Sequence, residues 1–308
     1  MGKLLIVGTV AIDEIETPFG KTGKILGGAA TYIGLAASQF EVDSAIVSIV
    51  GDDIPSEYLD ILREKGVDLS GIEIVTGGKT FYWKGKYHND LNSRDTLITD
   101  LNTLADFNPI VPDGYKDAEV VMLGNLHPAV QMGVIEQMET RPRLIVLDTM
   151  NFWMDHALSE LQEVIKHIDV ITINDEEARQ LTEEYSLVKA AEAIQKMGPE
   201  YVVIKKGEHG ALLFHKEQVF FAPALPLEEV FDPTGAGDTF AGGFTGYLAA
   251  TQDLSFNNLK NAVIHGSNLA SFCVEKFGTG RMKDLKREEV NKRLHEFKAL
   301  TQFDIELK

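Results

Sequence analysis

One cysteine, Cys273, stands in a chain of 308 residues, so no intrachain disulfide can brace the fold, and a reducing, cytoplasmic setting is expected. Its neighbours Ala270, Phe272 and Val274 place it on a buried helix. Basic residues are also scarce: 29 Lys and Arg face 47 Asp and Glu, a formal charge of −18. Such a surface repels nucleic acid and anionic lipid, which excludes a polyanionic partner. No apolar run approaches the roughly 20 residues that span a bilayer. The run Leu4–Ile12 is followed at once by Asp13-Glu14 with no small-x-small cleavage site, and it is expected to form a buried parallel strand (Leu4 to Val10) rather than a signal core. Myristoylation is not expected, because Ile6 stands where the motif opened by Met1-Gly2 needs a hydroxyl. The 10 prolines fall mostly at segment edges, among them Pro55, Pro109, Pro112, Pro199, Pro223 and Pro226, so no linker divides the chain. Internal repeats and low-complexity tracts are lacking as well.

What is present is 44% hydrophobic residues, ample for a large core. Strand-like runs (Leu4 to Val10, Ala45 to Val50, Val120 to Gly124, Leu144 to Asp148, Val170 to Ile173, Tyr201 to Lys205) alternate with amphipathic segments over 29–39, 55–65, 129–139, 157–167 and 187–197. That alternation predicts an α/β fold: a mostly parallel central sheet with helices on both faces. Residues 79–88 break it, being aromatic and β-prone with no helix after them, and suit an antiparallel hairpin; the polar, irregular stretch Asn89 to Asp106 belongs to the same flap. The last third reads as helical over Gly237 to Ala250, Asn257 to Val274 and a closing helix with Val290, Leu294 and Phe297 on its apolar face.

The densest chemistry lies in Asp232-Pro233-Thr234-Gly235-Ala236-Gly237-Asp238-Thr239-Phe240. Glycines at 235 and 237 keep side chains away from a ligand, so several N–H groups can point at one anion. Phe240, Phe244, Tyr247 and Leu248 then recur at helical spacing, which sets those amides at a positive helix end. Asp238 falls in the first turn, where it can take a proton from an attacking hydroxyl. Two rival phosphate motifs fail: Gly20-Lys21-Thr22 lacks the Walker glycine, where Ile15 stands, and Phe240 occupies the third glycine of a dinucleotide fingerprint. A nicotinamide dehydrogenase is thereby disfavoured. The plainer alternative for the motif is a tight turn before a helix with Asp238 as a helix-start carboxylate.

In this motif the chain resembles the PfkB (ribokinase-like) family of carbohydrate and nucleoside kinases, and the resemblance extends over nearly all of its length. Gly27-Gly28, Val50-Gly51-Asp52-Asp53, Asn174-Asp175-Glu176-Glu177 and Lys206-Gly207-Glu208-His209-Gly210 appear in the family's order. The resemblance implies one ribokinase-like three-layer domain over 1–308, with a β lid built from about 13–24 and 79–106. It implies ATP as phosphoryl donor and Mg²⁺, which the acidic charge also calls for, since a polyanionic nucleotide needs a local positive patch. Asp238 would be the base, with the Gly235, Ala236 and Gly237 amides holding the phosphoryl oxygens. Asn174, Lys205, Gly207, Gly210, Thr234 and Ser267 would lie along the nucleotide, with Glu177 on Mg²⁺ through water. Asp232, with backbone near Gly278, would mark a monovalent-cation (K⁺) site.

For Asn174 and Glu177 the competing assignment is a helix N-cap with acids complementing the dipole, and both can hold together. On the acceptor side the resemblance makes Asp13 the carboxylate that grips sugar hydroxyls, with Gly27 and Gly28 letting a helix approach. Two departures concern the acceptor: Ala11 and Tyr32 stand where ribokinases carry Asn. The acceptor is thus expected to be a small sugar or nucleoside. Phe81, Tyr82, Trp83, Tyr87 and Phe152-Trp153 could stack on its ring or pack the fold, and Lys84, Lys86, His88 and Arg94 could meet a phosphorylated sugar or remain solvated. The expected function is ATP-dependent phosphorylation of a primary hydroxyl, with a homodimer through the lid as a further expectation. A non-catalytic sugar or nucleoside sensor on the same fold is the alternative.

Overall fold

The computed structural model describes residues 1–302. In chain order its strands are β1 (Lys3–Val7), β2 (Ala11–Thr17), β3 (Gly20–Lys21), β4 (Ile25–Gly27), β5 (Asp43–Gly51), β6 (Asp68–Val75), β7 (Tyr82–Tyr87), β8 (Arg94–Asp100), β9 (Val120–Leu123), β10 (Leu144–Asp148), β11 (Val170–Asn174), β12 (Tyr201–Lys205), β13 (Ala211–His215) and β14 (Gln218–Ala222). Its α-helices are α1 (Ala29–Ala37), α2 (Ser56–Glu64), α3 (Pro128–Ile135), α4 (Asn151–His156), α5 (Leu158–Ile165), α6 (Asp175–Thr182), α7 (Leu187–Met197), α8 (Ala236–Thr251), α9 (Phe256–Cys273) and α10 (Arg287–Thr301).

Nine strands form the main sheet in the order β14-β13-β12-β11-β10-β9-β1-β5-β6. Pairing is parallel from β6 to β12 and antiparallel for β13 and β14. The central strands are apolar at almost every position because both faces are covered. One face packs against α1, α2, α8, α9 and α10, with Ile33, Phe244, Leu259 and Phe272 in its core. The other packs against α3 to α7 around Leu147, Leu161, Ile171 and Ile194. Glycines in α8 permit close helix contact: a Cβ on Gly242 would lie 2.3 Å from the Ile33 carbonyl of α1.

A smaller sheet, β3-β2-β7-β8 with β4 paired to β2, stands off the main one. The expected hairpin is β7–β8, antiparallel from Tyr82↔Asp100 to Tyr87↔Arg94. Two details differ from expectation. The stretch from Asn89 is not irregular throughout, since Arg94–Asp100 is a strand whose residues are all exposed, and exposure explains its polarity. The first apolar run is two strands: the chain leaves the main sheet after Val7 and enters the smaller one at Ala11. Gly8 and Thr9 make the break. The Thr9 side chain accepts the Ala29 amide at 3.0 Å and its carbonyl accepts the Ala30 amide at 2.9 Å, so this crossing also satisfies the N-terminus of α1.

Candidate active site

Three parallel strands deliver polar residues at their carboxyl ends, where α/β sheets open toward ligands. Asp148 ends β10, Asn174 ends β11 and Lys205 ends β12. Each closes a run too apolar to hold it anywhere but the edge. Lys205 Nζ lies 3.0 Å and 3.1 Å from the two Asp148 carboxylate oxygens. Burial alone would lower the Lys205 pKa, but Asp148 and Glu177 outweigh it and hold the ammonium above its usual range. Asn174 and Glu177 form a reciprocal cap on α6: Asn174 Oδ1 accepts the Glu177 amide at 2.7 Å and Glu177 Oε2 accepts the Asn174 amide at 3.0 Å. Burial pushes the Glu177 carboxyl up to about 7 against the pull of Lys205. Asp175 pairs with Arg179 instead, and Glu176 is exposed.

The Asp232–Asp238 segment meets these strand ends from α8. Gly235 is the N-cap at φ 75, a left-handed conformation, and a Cβ there would lie 2.5 Å from the Tyr32 ring. The Ala236 amide donates to Pro233 and that of Thr239 to Gly235. Between them Gly237 and Asp238 carry the first-turn amides that a helix leaves without intrahelical acceptors. A Cβ on Gly237 would lie 3.2 Å from Lys205 Nζ, so lysine and helix end converge on one space. Asp238 is half-buried; burial first, then Asp148, pushes its carboxyl up to about 7, with Lys205 and Arg94 opposing.

Asp232 is buried and braces the loop, accepting the Thr234 amide at 2.9 Å and the Gly278 amide at 2.8 Å. The Thr234 hydroxyl donates to Tyr87 Oη at 3.2 Å, which ties the loop to β7. Cys273 lies behind the loop and donates weakly from Sγ to the Thr234 carbonyl at 3.5 Å.

Asp13, on β2, is also buried; burial, then Asp232 and Asp238, pushes its carboxyl up to about 7 against the Gly28 amide. A Cβ on Gly27 would fall 1.8 Å from Asp13 Oδ2, so only glycine admits the carboxylate there. Gly28, the N-cap of α1, has φ 93. Tyr32 is fully buried behind Gly235 with no partner for its hydroxyl among the described residues, so it backs the loop. Gly207 and Gly210 shape the turn after β12, where the Lys206 amide donates to Gly210. Ser267 is half-buried on α9, beside Gly266, where a Cβ would meet the Phe240 carbonyl at 2.8 Å; helix packing accounts for that glycine. The smaller-sheet aromatics are partly engaged: Tyr82 donates to Glu14 at 2.9 Å and Trp83 to Thr96 at 3.3 Å.

Sequence motifs did not reveal Asp148. Its partner Lys205 lies 57 positions away, and the only signal was an acid closing the apolar run Leu144–Leu147. Among the described residues no three or more His, Cys, Asp or Glu side chains are grouped to hold a metal by themselves. No helix among them is long and apolar enough to cross a membrane.

A positive helix end, a half-buried lysine and a nearby acid under one small sheet are parts of a phosphoryl-transfer enzyme. The pfkB family carbohydrate kinase pattern matches residues 1–285, and the chain belongs to that family. It is 30% identical to the cytidine kinase of Thermococcus kodakarensis over 247 residues, 78% of this chain and 86% of that protein. Among solved structures it resembles the Methanocaldococcus jannaschii nucleoside kinase at TM-score 0.77 and 21% identity, covering 96% of this chain and 99% of that one. It also resembles the Salmonella enterica aminoimidazole riboside kinase, solved with aminoimidazole riboside and an ATP analogue, at TM-score 0.75 and 20% identity, covering 95% and 100%. These likenesses give a ribokinase-type fold, and membership gives a sugar or nucleoside kinase.

Proposed function

We propose that this chain moves the γ-phosphoryl group of ATP to a primary hydroxyl of a small sugar or nucleoside, with a nucleoside as the acceptor. The observation that carries the proposal is the convergence of Gly237, Lys205 and Asp238 at the head of α8. Asp13, buried against Gly27, orients the acceptor. Asp238 accepts the hydroxyl proton as the oxygen bonds to phosphorus and the bond to the β-phosphate oxygen breaks, releasing ADP. The free amides of Gly237 and Asp238 take up the charge that develops on the phosphoryl oxygens. Lys205 lies within reach of the same space, partnered until then by Asp148.

Glu177 keeps one carboxylate oxygen outside its cap bond, which suits a magnesium ion that retains water and binds mainly to phosphates. Bound Mg²⁺ would neutralise phosphate charge. The Asp232–Gly278 bridge is where K⁺ would tie the loop further. The smaller sheet would act as a lid on a single kinase unit, excluding water. Its exposed Leu97 and Ile98, with Leu101 just after β8, support pairing with a second copy. A nucleoside is favoured because the cytidine kinase relative covers most of this chain. ATP consumption measured against sugars, sugar phosphates and nucleosides tests the proposal. Turnover with a nucleoside is expected, and no turnover with any acceptor would refute it.

A further inference from the structure

We infer that Arg94 is a second cation of the active site, carried by the smaller sheet to the terminal phosphate of the nucleotide; this rests on the kinase function proposed above. The other cations on the strands of that sheet and on the β7–β8 turn are already partnered: Lys84 with Glu14 at 2.6 Å, Lys86 with Glu16 at 3.0 Å, Lys21 with Glu16 at 2.8 Å and His88 with Asp95 at 3.2 Å. The Arg94 guanidinium alone of these has neither an ion pair nor a hydrogen-bond partner among the described residues. The backbone that carries it is fixed nonetheless. Arg94 pairs with Tyr87 in the β7–β8 ladder, and Tyr87 accepts the Thr234 hydroxyl of the anion loop at 3.2 Å. The turn between them is held by Asp90 Oδ1, which accepts the amides of Asn92 at 3.1 Å and Ser93 at 3.0 Å. At the tip, Asn92 Oδ1 lies 3.2 Å from where a Cβ on Gly207 would stand. The hairpin end thus bridges the loop before α8 and the turn after β12, and it holds Arg94 at the mouth between them.

Charge supplies the reason. Asp148, Glu177 and Asp238 face one half-buried cation, Lys205, while Asp13 and Asp232 add charge beside Asp238, and a nucleoside triphosphate adds more. Arg94 already lowers the proton affinity of both Glu177 and Asp238, so its field reaches the floor of the site. A guanidinium offers a planar fork that matches phosphate oxygens, which a lysine cannot reproduce.

Calorimetric binding of Mg²⁺ with AMP-PNP or ADP to the wild-type protein, Arg94→Gln and Arg94→Lys tests the inference, together with kcat and KM. Arg94→Gln is expected to weaken AMP-PNP binding about 10-fold and ADP binding less than about twofold, and to lower kcat about 10²-fold with acceptor KM held within about twofold. Arg94→Lys should recover much of the AMP-PNP affinity. The side chain is exposed, so melting temperature should not move. Unchanged binding of both nucleotides by Arg94→Gln would overturn the inference, as would an effect confined to acceptor KM. Failure of the wild-type protein to phosphorylate any acceptor would defeat the proposed function separately, while the two nucleotide affinities still decide the role of Arg94.

Discussion

Asp238 carries the clearest expectation for a single side chain. A base must be ionised to accept a proton, and burial beside Asp148 pushes this carboxyl up to about 7. The protonated form therefore dominates below that point. The ratio kcat/KM should rise with pH through about 7 and level off above it. Asp238→Asn should lower kcat by about 10²- to 10⁴-fold while leaving nucleotide binding in place, and steady-state kinetics with a nucleoside acceptor will show the split. Gly27→Ala should act on the acceptor instead. Its Cβ would fall 1.8 Å from Asp13 Oδ2 and displace the carboxylate, so acceptor KM should climb by roughly 10-fold or more with nucleotide affinity retained. The cap formed by Asn174 and Glu177 and the place of Asp238 in the first turn of α8 were legible because each sits in a local pattern whose spacing carries its meaning. Asp148 was not, since its role comes from a lysine two strands away in the sheet. Tyr32 could be read as an altered acceptor contact, yet it lies buried behind Gly235, and only the fold discloses that.

Among the elements, α8 depends most on one residue at its head. Gly235→Ala must place a side chain at φ 75 with its Cβ 2.5 Å from the Tyr32 ring. The left-handed conformation costs about 1–2 kcal/mol and overpacking about 1–3 kcal/mol more. The variant should melt lower and lose most transfer activity, which thermal unfolding and an ATP assay will record together. Most helices were legible in sequence because their apolar faces recur at a single period, as in α7 and α9, whereas α4, only six residues long, went unread. Strands β6, β13 and β14 went unread. They lie at or beside the ends of the main sheet, and β6 and β14 keep much of their surface exposed, so neither presents the continuous apolar run that marks the centre. The break at Gly8 was hidden for the opposite reason, since apolar residues continue through it from one sheet into the other.

For the whole molecule, four acids in the site hold protons more tightly folded than unfolded: Asp13, Glu177 and Asp238 are each pushed up to about 7, and burial raises Asp232 as well. Between the ordinary carboxylate range and pH 7 the folded state thus binds more protons. Stability contributed by these groups should fall as pH rises across that window and stay flat above it. Asp13→Asn removes one such charge and should raise the melting temperature at pH 8, by about 2–4 °C for each kcal/mol relieved, while acceptor binding is lost. Composition disclosed an acidic surface and a large core, but not that several acids crowd one cleft, because a net charge carries no position. The central claim is that the first turn of α8 holds the transferring phosphate while Asp238 faces the acceptor. A crystal structure with Mg²⁺, AMP-PNP and a nucleoside tests it most directly. The γ-phosphate is predicted to lie about 3 Å from the amides of Gly237 and Asp238, with the primary hydroxyl at hydrogen-bond distance from Asp238. A nucleotide seated elsewhere, or an acceptor hydroxyl turned away from Asp238, would contradict the account.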